Sequence, residues 1–207
     1  PLLQNFSLLM TALGLQVRLL LLMVVDQNFL RVRKIFISVV LFLIPLNISF
    51  AENLNFEKIV DLNDPWGSTF IDKNNLLITE KSGKIKLIDL NSKKISEINH
   101  NLKFREHGQG GLLDILFKDN FVYISYTENR GSQKTSTSIA KANYNKKNLV
   151  FKNIFQANPP IDSGYHFGSR LAIKDNYLFA SAGERGQGMI AQDPTKHPGS
   201  IIRINTD

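Results

Sequence analysis

The 207-residue chain contains no cysteine. Disulfides, thiolate metal sites and cysteine nucleophiles are therefore excluded together, while the compartment stays open, because an exported protein can do without disulfides. A basic block is also missing. The formal net charge is +7, of which residues 1–51 carry +3 (Arg18, Arg31, Arg33 and Lys34 against Asp26), leaving +4 for residues 52–207, where lysines and acids are interspersed. Such a mild excess reads as solvated surface, and no nucleic-acid-binding motif accompanies it, so no nucleic-acid partner is expected. From Glu52 onward there is no convincing amphipathic helical pattern. What is present is 43% hydrophobic and 10% aromatic content, enough for one ordinary core and too much for wholesale disorder.

Residues 31–51 read RVRKIFISVVLFLIPLNISFA. Arg31, Arg33 and Lys34 form a basic start, Ile35–Leu46 an apolar run, and Ser49 and Ala51 supply the small residues that a signal peptidase inspects. A membrane anchor is the alternative, but the run is short for a span of about 20 residues, and Pro45 and Asn47 end it. The expectation is a signal peptide over 31–51, helical at 35–46, with a periplasmic mature chain and no stable membrane insertion after cleavage. Residues 1–30 fit this poorly. The chain opens on Pro1, Met23 makes a sensible start, and residues 1–22 read as translated upstream sequence, with a first membrane helix as the alternative. That divides the chain into a non-domain segment 1–30, a signal 31–51 and one domain over 52–207.

Within that domain, short strands rich in β-branched and aromatic residues alternate with Asn, Asp, Gly and Lys turns. The stretches KNNLLIT (73–79), KDNFVYISYT (118–127) and KDNYLFASAG (174–183) repeat one pattern, and their markers Asn75, Asn120 and Asn176 lie 45 and 56 positions apart. Each continues into a second strand: GKIKLIDL (83–90), TSIAKANY (137–144) and GSIIRINT (199–206). Units of this size with about four strands are the blades of a β-propeller, which must stack around a common axis. A parallel β-helix is the alternative, with much shorter repeats. The expected fold is all-β: an incomplete ring of about three propeller blades, the last pattern breaking off at Asp207.

Four histidines are candidates for chemistry. His100 in INHNL and His197 in TKHPGS read as turn residues, and His107 in FREHGQGG is ambiguous. His166 in SGYHFGSRL stands between Gly164 and Gly168, with an aromatic on either side and Arg170 four residues on. Glycines allow close approach of a ligand, and a histidine so placed can act as a general base near neutral pH. The run Gly108-Gln109-Gly110-Gly111 suggests a turn that aims one amide; it is no phosphate loop, and a satisfied structural glutamine is its plain alternative. Gly183-Glu184-Arg185-Gly186 lacks the surroundings of a dinucleotide fingerprint. Glu184 is left between metal ligand and surface acid.

Taken in order, PWG (65–67), ITEKSGKIKLID (78–89), GQGGLLDI (108–115), FVYISYT (121–127), HFGSRL (166–171), GERG with AQD (183–193) and SIIRIN resemble the soluble PQQ-dependent sugar dehydrogenases, specifically their aldose sugar dehydrogenase branch. The resemblance covers nearly all of residues 58–207. It implies a six-bladed propeller with PQQ and calcium on one face. It also implies oxidation of an aldose to its lactone, with electrons leaving to an acceptor or carrier. His166 would be the catalytic base and Gln109 would help to hold the sugar. The family's glucose dehydrogenases carry Asp before the histidine; Tyr165 stands here, which favours the broader aldose branch. Most of the family's cofactor-binding Arg, Asn and Lys residues and its principal calcium ligands belong to later blades, so the 207 residues alone are expected to be inactive. A non-catalytic binding propeller and a lactone-hydrolysing propeller are the competing functions, since fold alone does not decide.

Overall fold

The computed structural model describes residues 55–206. The expectations for residues 1–30, for the signal segment 31–51 and for a helix at 35–46 lie outside the described residues. Within them are twelve strands: β1 (Pro65–Phe70), β2 (Asn75–Glu80), β3 (Lys84–Asp89), β4 (Lys94–His100), β5 (Leu112–Lys118), β6 (Phe121–Asn129), β7 (Thr135–Asn143), β8 (Asn148–Leu149), β9 (Lys152–Gln156), β10 (Gly168–Lys174), β11 (Tyr177–Ala182) and β12 (Ile201–Asn205). The helical content among the described residues is a short 3-10 turn, Gly188–Gln192. No helix among them is long and apolar enough to cross a membrane.

The strands form three sheets ordered β1-β2-β3-β4-β8, β5-β6-β7-β9 and β10-β11-β12, the three blades expected of a partial propeller. The repeated segments of the sequence are the second and third strands of each blade, β2–β3, β6–β7 and β11–β12. Their hairpins follow from the turn residues. Asp119 and Asn120 adopt positive φ (50° and 63°) as a two-residue loop between paired Lys118 and Phe121. That is the backbone of a type I′ turn, which Asp and Asn tolerate better than other side chains. One pairing departs from the antiparallel pattern: β8 leaves the second unit and adds to β4 in parallel, bringing Leu149 into the first core.

Hydrophobic side chains fill the space between successive blades. Leu77, Ile85, Leu87 and Ile98 of the first meet Ile115, Val122, Ile124 and Ala140 of the second. Tyr123 and Ile139 on the other face of the second meet Leu171, Leu178 and Ala180 of the third. Beyond that, the third blade turns Tyr177, Phe179 and Ile201 away from its neighbour, Ile201 being 71% exposed, and the Arg203 guanidinium lies over the Tyr177 ring at 4.9 Å.

The first strand of each blade carries an irregularity at the same place. Register slips between Pro65 and Ser68, between Leu112 and Ile115, and between Gly168 and Leu171. Such a bulge leaves a backbone N–H without a ladder partner. In each blade a hydroxyl from the second strand accepts it: Gly67 N donates to Thr79 Oγ1 at 2.9 Å, Asp114 N to Ser125 Oγ at 3.0 Å, and Arg170 N to Ser181 Oγ at 3.1 Å. The same hydroxyl then donates onward to the next blade. Thr79 reaches the Leu113 carbonyl and Ser125 the Ser169 carbonyl, the latter at 2.7 Å. Asp114 adds a second bridge, its Oδ2 accepting from Leu171 N at 2.8 Å and its Oδ1 from Arg170 Nη1 at 3.1 Å. The inner strands β1, β5 and β10 are thereby fixed side by side with their starting ends together.

This relay gives a position-dependent expectation. Ser125→Ala leaves a buried N–H and a buried carbonyl unpaired and should destabilise the fold by about 1–3 kcal/mol. Ser181→Ala, at the equivalent position of the third blade, loses one acceptor at an accessible face and should cost about 0.5 kcal/mol or less. Urea unfolding of both variants decides it, and equal costs would show that the onward bond contributes nothing.

Candidate active site

Gln109 and His166, separated by 57 positions, both precede an inner strand, β5 and β10, and therefore arrive at the same end of the blades. They touch. The backbone N–H of His166 donates to Gln109 Oε1 at 2.9 Å, and Gln109 N donates to the Gly164 carbonyl at 2.7 Å. Gly108 makes this possible. It sits at φ +58°, and a Cβ there would fall 2.5 Å from the Gly164 oxygen, closer than real atoms approach. Gln109 is thus bound through its oxygen to the loop that carries His166, and its Nε2 is the group left for a ligand.

His166 itself adopts φ +49°, a left-handed conformation that a side-chain-bearing residue holds only where its surroundings impose it. Its imidazole is 53% exposed, and Nδ1 bonds Glu184 Oε1. Glu184 also accepts from Gly186 N at 3.1 Å. The bond from His166 holds the Glu184 carboxyl below the ordinary glutamate range, so it is a carboxylate at neutral pH. A carboxylate can only accept, so Nδ1 carries the hydrogen and Nε2 of the neutral ring keeps its lone pair. To the two readings left for Glu184, metal ligand or surface acid, the structure adds a bond to His166 that neither anticipated. Its signal was available in the repeat: β10 and β11 form a hairpin in which Gly168 pairs with Ala182, so residues two places outside that pair, 166 and 184, must face each other. Gly183 lets them close, since a Cβ there would run into the His166 carbonyl.

The other histidines are accounted for by backbone bonds. His100 Nε2 lies 2.8 Å from the Gly83 carbonyl while its Nδ1 accepts from Leu102 N. His197 Nδ1 accepts from Asn158 N at 2.9 Å and its ring packs on Phe155. His107 forms the turn that presents Gln109, through bonds between its backbone and that of Gly110. A second residue that sequence reasoning passed over is Arg185. It lies in the Gly-rich loop 183–188, yet it is 2% exposed.

Comparison with known proteins places the chain. Residues 62–207 match the profile of the family described as Glucose / Sorbosone dehydrogenase. The aldose sugar dehydrogenase YliI of Escherichia coli (strain K12) is 29% identical over 189 residues, covering 86% of this chain and 49% of the relative. A crystal structure of glucose dehydrogenase superposes with a TM-score of 0.65 at 32% identity, covering 70% of this chain and 45% of that one. The PQQ-bound aldose sugar dehydrogenase of Streptomyces coelicolor does so with a TM-score of 0.62 at 25% identity, with coverages of 70% and 45%. The chain spans about half the length of the curated relatives it matches, 49% and 41% of them. With three bulged blades in the described residues and the family match running from residue 62 to the last residue, this chain belongs to the Glucose / Sorbosone dehydrogenase family.

Proposed function

We propose that this chain carries the proton-accepting part of a PQQ-dependent aldose sugar dehydrogenase, exported to the periplasm by its 31–51 segment and delivering its electrons to a separate carrier. The observation that carries the reading is the exposed His166 ring with Nδ1 engaged by Glu184. An aldose becomes a lactone by losing hydride from C1 and a proton from the anomeric hydroxyl, as the C1–O bond becomes a carbonyl. Nε2 of His166 takes that proton, and Glu184 stabilises the imidazolium that results. Nε2 presents to solvent at the same end as Gln109, whose amide nitrogen can donate to a sugar oxygen. Tyr165, exposed beside His166 with ring centroids 6.2 Å apart, offers a flat face where an acid would select glucose.

PQQ, when bound, supplies the two-electron hydride acceptor. As a polycarboxylate it fits this end in charge: Arg170, on β10 four residues after the base, has a side chain 77% exposed and, among the described residues, tied to Asp114. Arg170 is the described residue that would hold it. Calcium takes oxygen ligands, backbone and amide carbonyls included; among the described residues no group of three or more His, Cys, Asp or Glu forms a cluster for it.

In the complete propeller loaded with PQQ and calcium, aldoses should reduce a dye acceptor. His166→Gln should lower turnover by about 10²-fold or more with little change in cofactor binding. Binding of aldoses without dye reduction would instead mark a non-catalytic sugar-binding propeller.

The pH dependence follows from Glu184. Its folded pKa is depressed, so the bond to His166 is complete above the ordinary glutamate range and is lost as pH falls through the depressed value. Glu184→Gln should lower turnover about tenfold or more at neutral pH, because an amide can present either donor or acceptor to Nδ1 and no longer stabilises the imidazolium. An unchanged kcat at neutral pH would remove Glu184 from the mechanism.

A further inference from the structure

Arg185 is 2% exposed, and no carboxylate among the described residues bonds it. Burying a guanidinium without a counter-charge is costly unless its donors are satisfied. Here backbone oxygens do this. Nε donates to the Tyr165 carbonyl at 3.0 Å, Nη1 to the Thr135 carbonyl at 3.2 Å, and Nη2 to Thr135 Oγ1 at 2.8 Å and to the Ser163 carbonyl. Its Cζ lies over the Phe167 ring, 3.6 Å from the centroid. Burial still lowers its pKa, to about 10, so the group stays charged at neutral pH. A hydrophobic residue of similar volume would fill this space at less cost. The targets of the bonds explain the choice: Ser163, Tyr165 and Phe167 flank His166, Thr135 begins a strand of the neighbouring blade, and Glu184 is the residue before Arg185.

We propose that Arg185 is the positioning residue of this site: it fixes the 163–167 loop against β7 and against its own turn so that Glu184 meets Nδ1 of His166 and Nε2 is left to the substrate. The proposal rests on the reading of His166 as the base. The guanidinium is buried and touches no substrate; it acts through the loop. Two left-handed residues, His166 at φ 49° and Arg185 at φ 59°, lie in the two segments that these bonds join, and neither conformation is one its side chain prefers. The five donors of a planar fork are what can hold several carbonyls at once, which a lysine cannot do.

The test is spectroscopic and independent of turnover. In the full chain labelled with 15N at histidine, neutral His166 should show a protonated-type signal at Nδ1 and an unprotonated-type signal at Nε2. Arg185→Gln should move both signals toward an average of the two tautomers, and should return the Glu184 carboxyl, followed by 13C NMR, upward to the ordinary glutamate range. A purely structural role would lower the unfolding midpoint and leave both signatures in place, and that result overturns the proposal. Should Arg185→Gln fail to fold, Thr135→Val removes one acceptor of the guanidinium; a smaller shift in the same direction supports the assignment and an unchanged tautomer overturns it. Aldose oxidation by the complete propeller is a separate measurement. Its failure with the tautomer signature present and sensitive to Arg185 defeats the enzyme reading and leaves the positioning role intact.

Discussion

The structure depends on how closely the inner strands of neighbouring blades approach one another. Gly67 shows the constraint: a Cβ there would lie 2.7 Å from the Asp114 Cα and 2.8 Å from the Leu113 oxygen, so at this point two backbones touch with nothing between them. Hydrophobic burial between blades supplies much of the driving force but is non-directional and sets no register. The buried hydroxyls of Thr79 and Ser125 do. Each accepts from a bulged N–H in its own blade and donates to a bulged carbonyl in the next, so a sliding blade would strand polar groups on both sides. The starting ends of β5 and β10 are thereby held level, and the loops that open into them meet.

That meeting is tight enough to hold a histidine in a backbone conformation it would not choose. Gln109 fixes the N–H of His166 from one side, the Gly183 turn presses on its carbonyl from the other, and Phe167 is buried beneath, between the Gly110 turn and the Arg185 guanidinium. The phenyl ring also explains the second glycine of the GQGG run, where a Cβ would reach within 2.7 Å of it. An imidazole delivered in this way stays half-exposed while its backbone is fully constrained, which is the combination a base needs if it is to meet a substrate without losing orientation.

The strands that repeat in the sequence, KNNLLIT, KDNFVYISYT and KDNYLFASAG, were legible because each couples a turn of Asp or Asn to an alternating apolar run. They became β2, β6 and β11. The inner strands were less so: PWGSTF, LLDILFK and GSRLAIK share no side-chain pattern, since what they have in common is a bulge, a property of the backbone. His166 and Gln109 were legible because glycines surround them. The pairing of Glu184 with His166 was missed because it appears only once the hairpin register is counted outward from Gly168 and Ala182. Arg185 could not be read at all. Three of its hydrogen bonds are to backbone oxygens and one is to a hydroxyl 50 positions away, and a sequence carries no mark of where its carbonyls point.

The two halves of the site therefore differ in what they require. The His166–Glu184 pair is local, made by one hairpin of one blade, and any chain folding β10 and β11 in this register brings the two residues opposite each other. Orientation is not local. Gln109 comes from the loop before β5 and Thr135 from β7, both of the preceding blade, and each bonds the segment around His166 directly or through Arg185. Loosening the interface between the second and third blades would leave the acid and the imidazole adjacent but free to turn, with Nε2 no longer aimed. In a propeller, stacking of blades is ordinarily a matter of stability. Here the same stacking sets the direction in which the imidazole lone pair points, so packing between blades and chemistry at their ends are governed by one interface.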